Sequence, residues 1–175
     1  PHFEPGQVDY ERYQYPDYER AGEIIDPWGC KWAMAGNGIV GTVIEHPLED
    51  WSALEDFEPP PVLPQRAQKF TRTWESVAEG VRRRRERGEL AVGGLYHGFF
   101  FMRLTYLRGF ENLMVDLIEK PPELYRLIGI VKDHCAAMVR HSLELGVDVL
   151  NNGEDLGTQS ASILSPSMFR EFVTP

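Results

Sequence analysis

Two short apolar runs are each followed at once by groups that could do chemistry. Leu90-Ala-Val-Gly-Gly-Leu95 leads into Tyr96, His97, Arg103 and Tyr106, and Val147-Asp-Val-Leu150 leads into Asn151, Asn152, Glu154, Asp155 and Gln159. In parallel α/β folds the functional groups collect where strands end and the next loops begin. Three side-chain amides and two carboxylates in one loop offer donors and acceptors to a small polar substrate, and an acid pair for proton transfer. A loop needs solvated residues but not this particular set, so the pattern favours function over loop capping.

His134, Cys135 and His141 invite a metal reading, since the two histidines lie seven apart on what reads as one helix. Adjacent residues on a helix diverge by about 100 degrees, so a buried thiol flanked by surface histidines is the simpler expectation, and no metal ligands are assigned. Gly36-Asn-Gly-Ile-Val-Gly41 has the spacing of a dinucleotide loop but no helical pattern after it. It reads as the turn of a β-hairpin. No nucleophile elbow, phosphate loop or HExxH motif occurs. Arg82 to Arg85 reads as the basic end of a helix, which complements the macrodipole, rather than as a phosphate patch.

The elements that must position these groups follow from periodicity and breakers. Residues 1–22, rich in tyrosine (Tyr10, Tyr13, Tyr15, Tyr18), read as an extended arm, and 26–46 as a hairpin about Asn37-Gly38. Residues 47–57 hold a short helix, and Pro59-Pro-Pro61 an extended linker. From 65 to 175 the text reads as βα units. A helix spans about 65–87 with Gly88 as its C-terminal cap, and a strand buried on both faces spans 90–96. One helix over about 104–119 and another from Pro121 to Leu145 precede a strand at 147–150, and a further helix is capped by Ser165-Pro166. This is the order of an α/β protein with parallel strands, read as a single domain over 1–175.

Composition bounds the partners. The 175 residues carry 18 Lys+Arg against 27 Asp+Glu, a net charge of −9, so the long-range field repels nucleic acid. No run approaches the roughly 18 apolar residues of a membrane span, and no signal peptide opens the chain. The two cysteines, Cys30 and Cys135, lack disulfide or CxxC spacing and read as free buried thiols of a cytoplasmic protein. The start at Pro1 and the end at Pro175, just after a helix begins, lead us to expect a piece of a larger domain.

Several segments resemble the uroporphyrinogen decarboxylase superfamily: Thr105-Tyr-Leu-Arg-Gly-Phe-Glu111, Pro121-Pro-Glu-Leu-Tyr125, Gly146-Val-Asp-Val-Leu150, Gly153-Glu-Asp-Leu-Gly-Thr-Gln159 and Ser165-Pro-Ser-Met-Phe-Arg-Glu-Phe172. Asp26-Pro-Trp-Gly-Cys-Lys-Trp32 and His46-Pro-Leu-Glu-Asp-Trp51 look like the inserted hairpin of its decarboxylase-like and corrinoid-linked methyltransferase branch. The resemblance implies a (β/α)₈ barrel with an inserted hairpin. Such barrels need about 250 residues, so the barrel is expected to be incomplete here, the chain pairing with a second copy or a complementary fragment. It implies Tyr106, in the Thr-Tyr pair, as the active-site tyrosine. Glu154 and Asp155 are taken with it as the catalytic set, and all three are expected to face one cavity. Tyr96, His97, Arg103, Asn151, Asn152 and Gln159 are taken as substrate contacts.

The decarboxylase aspartate has two candidates, Asp17 and Asp26, neither after a clear strand. The decarboxylase's arginine segment is absent, and Arg103 and Arg108 are few for a substrate with many carboxylates. The methyltransferases' zinc motif, a His-x-Cys with a later Cys, is also absent and is expected beyond Pro175. The reading is therefore a methyltransferase-like enzyme, with zinc and corrinoid expected only in an intact protein, no cofactor held by this chain, and no activity expected of this chain alone. A porphyrinogen decarboxylase and a non-catalytic half-barrel are the alternatives.

Overall fold

A computed structural model describes residues 16–17, 19–64 and 73–174, with Tyr96 and His97 described by backbone only. The tyrosines at 10, 13, 15 and 18 and the beginning of the helix expected from 65 lie outside these residues. Among the described residues five strands are present: β1 (Ala21–Ile25), β2 (Lys31–Ala35), β3 (Thr42–Glu45), β4 (Val92–His97) and β5 (Val149–Gly153). The helices are α1 (Trp74–Glu86), α2 (Phe101–Arg108), α3 (Phe110–Glu119), α4 (Pro122–Glu144) and α5 (Pro166–Phe172), with a one-turn 3₁₀ helix at Trp51–Leu54.

The hairpin at 26–46 is larger than the sequence pattern indicates. β2 and β3 pair antiparallel, and β1 adds to β2 with Ile24 opposite Trp32, so the arm ends as a third strand. The turn also differs: Gly36 and Gly38 take positive φ (71° and 77°), whereas Asn37 does not. β1 crowds Gly36 so closely that a Cβ there would run into the backbone of Ala21, which only glycine avoids.

β4 and β5 pair in parallel, Val92 beside Val149 and Gly94 beside Asn151, as the βα reading requires. Among the described residues this sheet has two strands and no closed barrel forms. β4 is not buried on both faces. Ala91 and Leu95 point into the layer formed with α1 and α4, meeting Val81, Val147, Trp74 and Met138, while Val92 on the alternate face is 48% exposed.

The helix expected over 104–119 is two helices. Gly109 (φ 84°, ψ 142°) ends α2 and opens α3, and a Cβ on it would lie 3.3 Å from the His46 ring. The strap His46 to Glu49 occupies that break: Leu48 N donates to Leu107 O at 2.9 Å, and Arg108 donates to the carbonyls of Leu48 and Glu49. The main core joins Trp28 and Trp32 of the hairpin to Leu104 and Leu107 of α2, Leu113 and Leu117 of α3, Leu124, Leu127 and Val131 of α4, and Phe172 of α5. No helix among the described residues is long and apolar enough to cross a membrane.

Candidate functional site

The C-terminal ends of β4 and β5 are tied by Gly98 N, which donates to Gly153 O at 2.9 Å. Gly98 takes φ 68°, and a Cβ there would stand 2.8 Å from Met102, so the turn from β4 into α2 is tight enough to exclude a side chain. Helix α2 then starts at Phe101 with no capping side chain of its own.

Glu154, the first residue after β5, supplies that cap. Its Oε1 accepts from Phe100 N at 3.0 Å, and its Oε2 from Phe101 N at 2.6 Å and Met102 N at 3.3 Å. These are the donors that a helix start leaves without intrahelical partners, and the carboxylate also meets the positive dipole end. One turn along α2, the half-buried Tyr106 directs its hydroxyl to Met102 Sδ at 3.8 Å. Glu154 and Tyr106 are thus brought to one neighbourhood about the first turn of α2. Asp155 follows Glu154 in the chain and is exposed.

The amides stand apart from that neighbourhood, along the sheet. Asn151 and Asn152, with Val92, Gly93, Gly94, Leu95 and Gly153, line an open cleft of about 410 Å³. Of the glycines in its wall, Gly93 is held close to the core, where a Cβ would meet Val147 at 3.0 Å and Leu150 at 3.1 Å. Gln159 is exposed farther along, in a loop tied by Thr158, whose backbone N and Oγ1 both donate to Ala161 O. Of Tyr96 and His97, only the backbone, in β4, is described.

Arg103, expected to contact substrate, is instead buried at 7% exposure. Its guanidinium pairs with Asp26 Oδ2 at 3.3 Å and lies over the rings of Trp28 (5.0 Å) and Tyr106 (5.5 Å). Arg108 is likewise consumed, pairing with buried Asp116 at 2.7 Å and stacking over Trp51 at 4.2 Å. Asp26 accepts from Trp28 N and Cys30 N on one oxygen, and from Trp32 Nε1 and Arg103 on the other. Its carboxylate is saturated, which removes Asp26 as a free acid group. The signal was present in the sequence: Asp-Pro-Trp-Gly is a turn with Asp at its first position, and Gly29 N donates to Asp26 O at 2.9 Å.

The histidines of α4 are not surface residues. His134 is 8% exposed and edge-on to Trp28 at 4.6 Å, and His141 packs on Trp74 at 4.3 Å, because α4 is covered by the hairpin on one stretch and by α1 on the other. Burial, aided by the nearby Arg103 charge, pushes His134 down to about 4. Burial also pushes the Cys135 thiol up to about 12 and raises Cys30. Cys135 Sγ donates to Phe99 O at 3.0 Å, and Cys30 Sγ to Tyr106 O at 3.3 Å. Among the described residues, no three His, Cys, Asp or Glu side chains group to hold a metal.

A parallel strand pair joined through crossover helices, with an antiparallel sheet packed against the first of them, makes this an α/β protein. The family model for uroporphyrinogen decarboxylase (URO-D) matches residues 24–175, and the chain belongs to that family. The match takes in the hairpin as well as the βα units. No curated protein and no solved structure matches the chain.

Proposed function

We propose that this family member is an enzyme of the methyltransferase-like kind, acting on a small methylated substrate or a corrinoid rather than on a porphyrinogen. The observation that carries the reading is the fate of its arginines: Arg103 and Arg108 are buried against Asp26 and Asp116, so neither guanidinium reaches a substrate. A tetrapyrrole bearing many carboxylates needs several cations at the mouth. The groups near the strand ends here are amides and acids, Asn151, Asn152, Glu154 and Asp155. These suit a small neutral or cationic substrate.

In this reading Asn151 and Asn152 hydrogen-bond the substrate in the cleft, and the Tyr106 phenol and Asp155 flank the reacting end. Asp155 relays a proton: the bond from the methyl carbon to the donor atom breaks, the bond to an acceptor thiol's sulfur forms, and the thiol proton passes to the donor's leaving group. Zinc would activate such a thiol as a Lewis acid. The described residues do not fit zinc. The two thiols are held protonated by burial and donate to carbonyls, and His134 is wedged against Trp28. No step is therefore assigned to a metal here.

The test uses the full reading frame that encodes this chain, sets uroporphyrinogen against methylated amines and thiols with a corrinoid already reduced to its cobalt(I) form or a thiol as acceptor, and follows carbon dioxide release and methyl transfer on the same protein. Saturable methyl transfer that falls in Tyr106→Phe and Asp155→Asn is the expected result. Saturable carbon dioxide release from uroporphyrinogen would overturn it.

A further inference from the structure

We propose that Asp26 and Arg103 are positioning residues for Tyr106, the turn from Asp26 to Trp32 acting as a clamp on the first turns of α2. The inference rests on the reading of Tyr106 as a site residue. One carboxylate oxygen, Asp26 Oδ2, holds two groups that pack against the Tyr106 ring. It accepts from Arg103, whose guanidinium lies 5.5 Å from the ring centre, and from Trp32 Nε1 at 3.0 Å. The Trp32 indole meets Tyr106 edge-on at 4.9 Å.

The other oxygen, Oδ1, accepts from Trp28 N and Cys30 N at 2.9 Å each, so the carboxylate cannot move without undoing the turn. The backbone of Tyr106 is gripped as well. Its carbonyl accepts from His46 Nδ1 at 2.8 Å and from Cys30 Sγ at 3.3 Å, so these two contacts come from the hairpin and its strap. At the other end of the side chain the phenol lies beside Gly98 and donates to Met102 Sδ at 3.8 Å.

A buried ion pair is weak evidence for stability, since apolar groups of similar volume often serve as well. An apolar pair at 26 and 103 would fill the same space but would set neither the Trp32 indole nor the cation over the ring. The Arg108–Asp116 pair provides an internal control. It is equally buried and lies at the end of the same helix, yet its cation stacks on Trp51 and not on Tyr106.

The experiment incorporates meta-fluorotyrosine and assigns the residue-106 fluorine signal with Tyr106→Phe. Asp26→Asn and Arg103→Lys should each give a resolved shift of that signal, while Asp116→Asn leaves it in place. With a substrate identified, Asp26→Asn should lower kcat by about tenfold or more, with KM held within about threefold. If Asp26→Asn does not fold, Arg103→Lys, which keeps a cation, decides the matter. An unmoved signal in the foldable variants, or an equal shift in Asp116→Asn, overturns the clamp. Full activity in Tyr106→Phe would instead overturn the site reading, and the fluorine result would still judge the clamp.

Discussion

Two adjacent acids after β5 have opposite surroundings, and their variants should separate. Glu154 holds three backbone donors at the start of α2, so Glu154→Ala should destabilise the fold by about 1–2 kcal/mol in urea unfolding. Asp155 is exposed, so Asp155→Asn should stay within about 0.5 kcal/mol of the parent while lowering turnover. An equal loss of stability in both would show that the cap is not the difference. The thiols supply a second check. With Cys135 pushed up to about 12 and Cys30 raised by burial, neither should react with a disulfide reagent near neutral pH until the chain is unfolded. A thiol titrating rapidly in the native protein would contradict that burial. At this scale the acids after β5 were legible as a loop set, because residue type and place suffice for that. Their division of labour was not, since the partner of Glu154 is a helix start some fifty residues earlier in the chain.

Glycines test the elements in both directions. Gly80 sits inside α1, and a Cβ on it would meet nothing within 4 Å, so Gly80→Ala should stabilise the protein by about 1 kcal/mol through helix propensity. Gly109 divides α2 from α3 at φ 84° against the His46 ring, so Gly109→Ala should cost about 1–2 kcal/mol. Thermal or urea unfolding of the two variants gives both signs in one experiment, and a stabilising Gly109→Ala would mean that the strap yields. The same pair explains what the sequence pattern could reveal. The apolar periodicity of α1 and α4 is a property of each segment alone, and so are the Gly88 and Ser165 caps. The break at Gly109 depends on a strap sixty residues away, and the third hairpin strand on pairing with β2, so neither shows in local periodicity. Arg103 follows the same logic: position after a strand suggests a mouth residue, and only the tertiary partner Asp26 turns it inward.

The whole molecule couples its hairpin, α2 and α4 through one buried polar cluster, and that cluster makes folding sensitive to acid. His134 packs between Trp28 and the field of Arg103, and its proton affinity falls from 6.5 to about 4. On acidification the unfolded chain therefore binds the proton first. Stability is full above the unfolded value, declines as pH falls toward the folded one, and levels off below it once both states are protonated. The shift corresponds to about 3 kcal/mol over that window, at a slope approaching about 1.4 kcal/mol per pH unit. The upper part of that window lies above the ordinary range of free carboxylic acids, where histidine is the side chain that ordinarily titrates. Urea midpoints measured across it should fall steadily in the parent and much less in His134→Gln, which cannot titrate. An identical decline in the two proteins would mean that His134 reaches solvent and that α4 is not sealed by the hairpin.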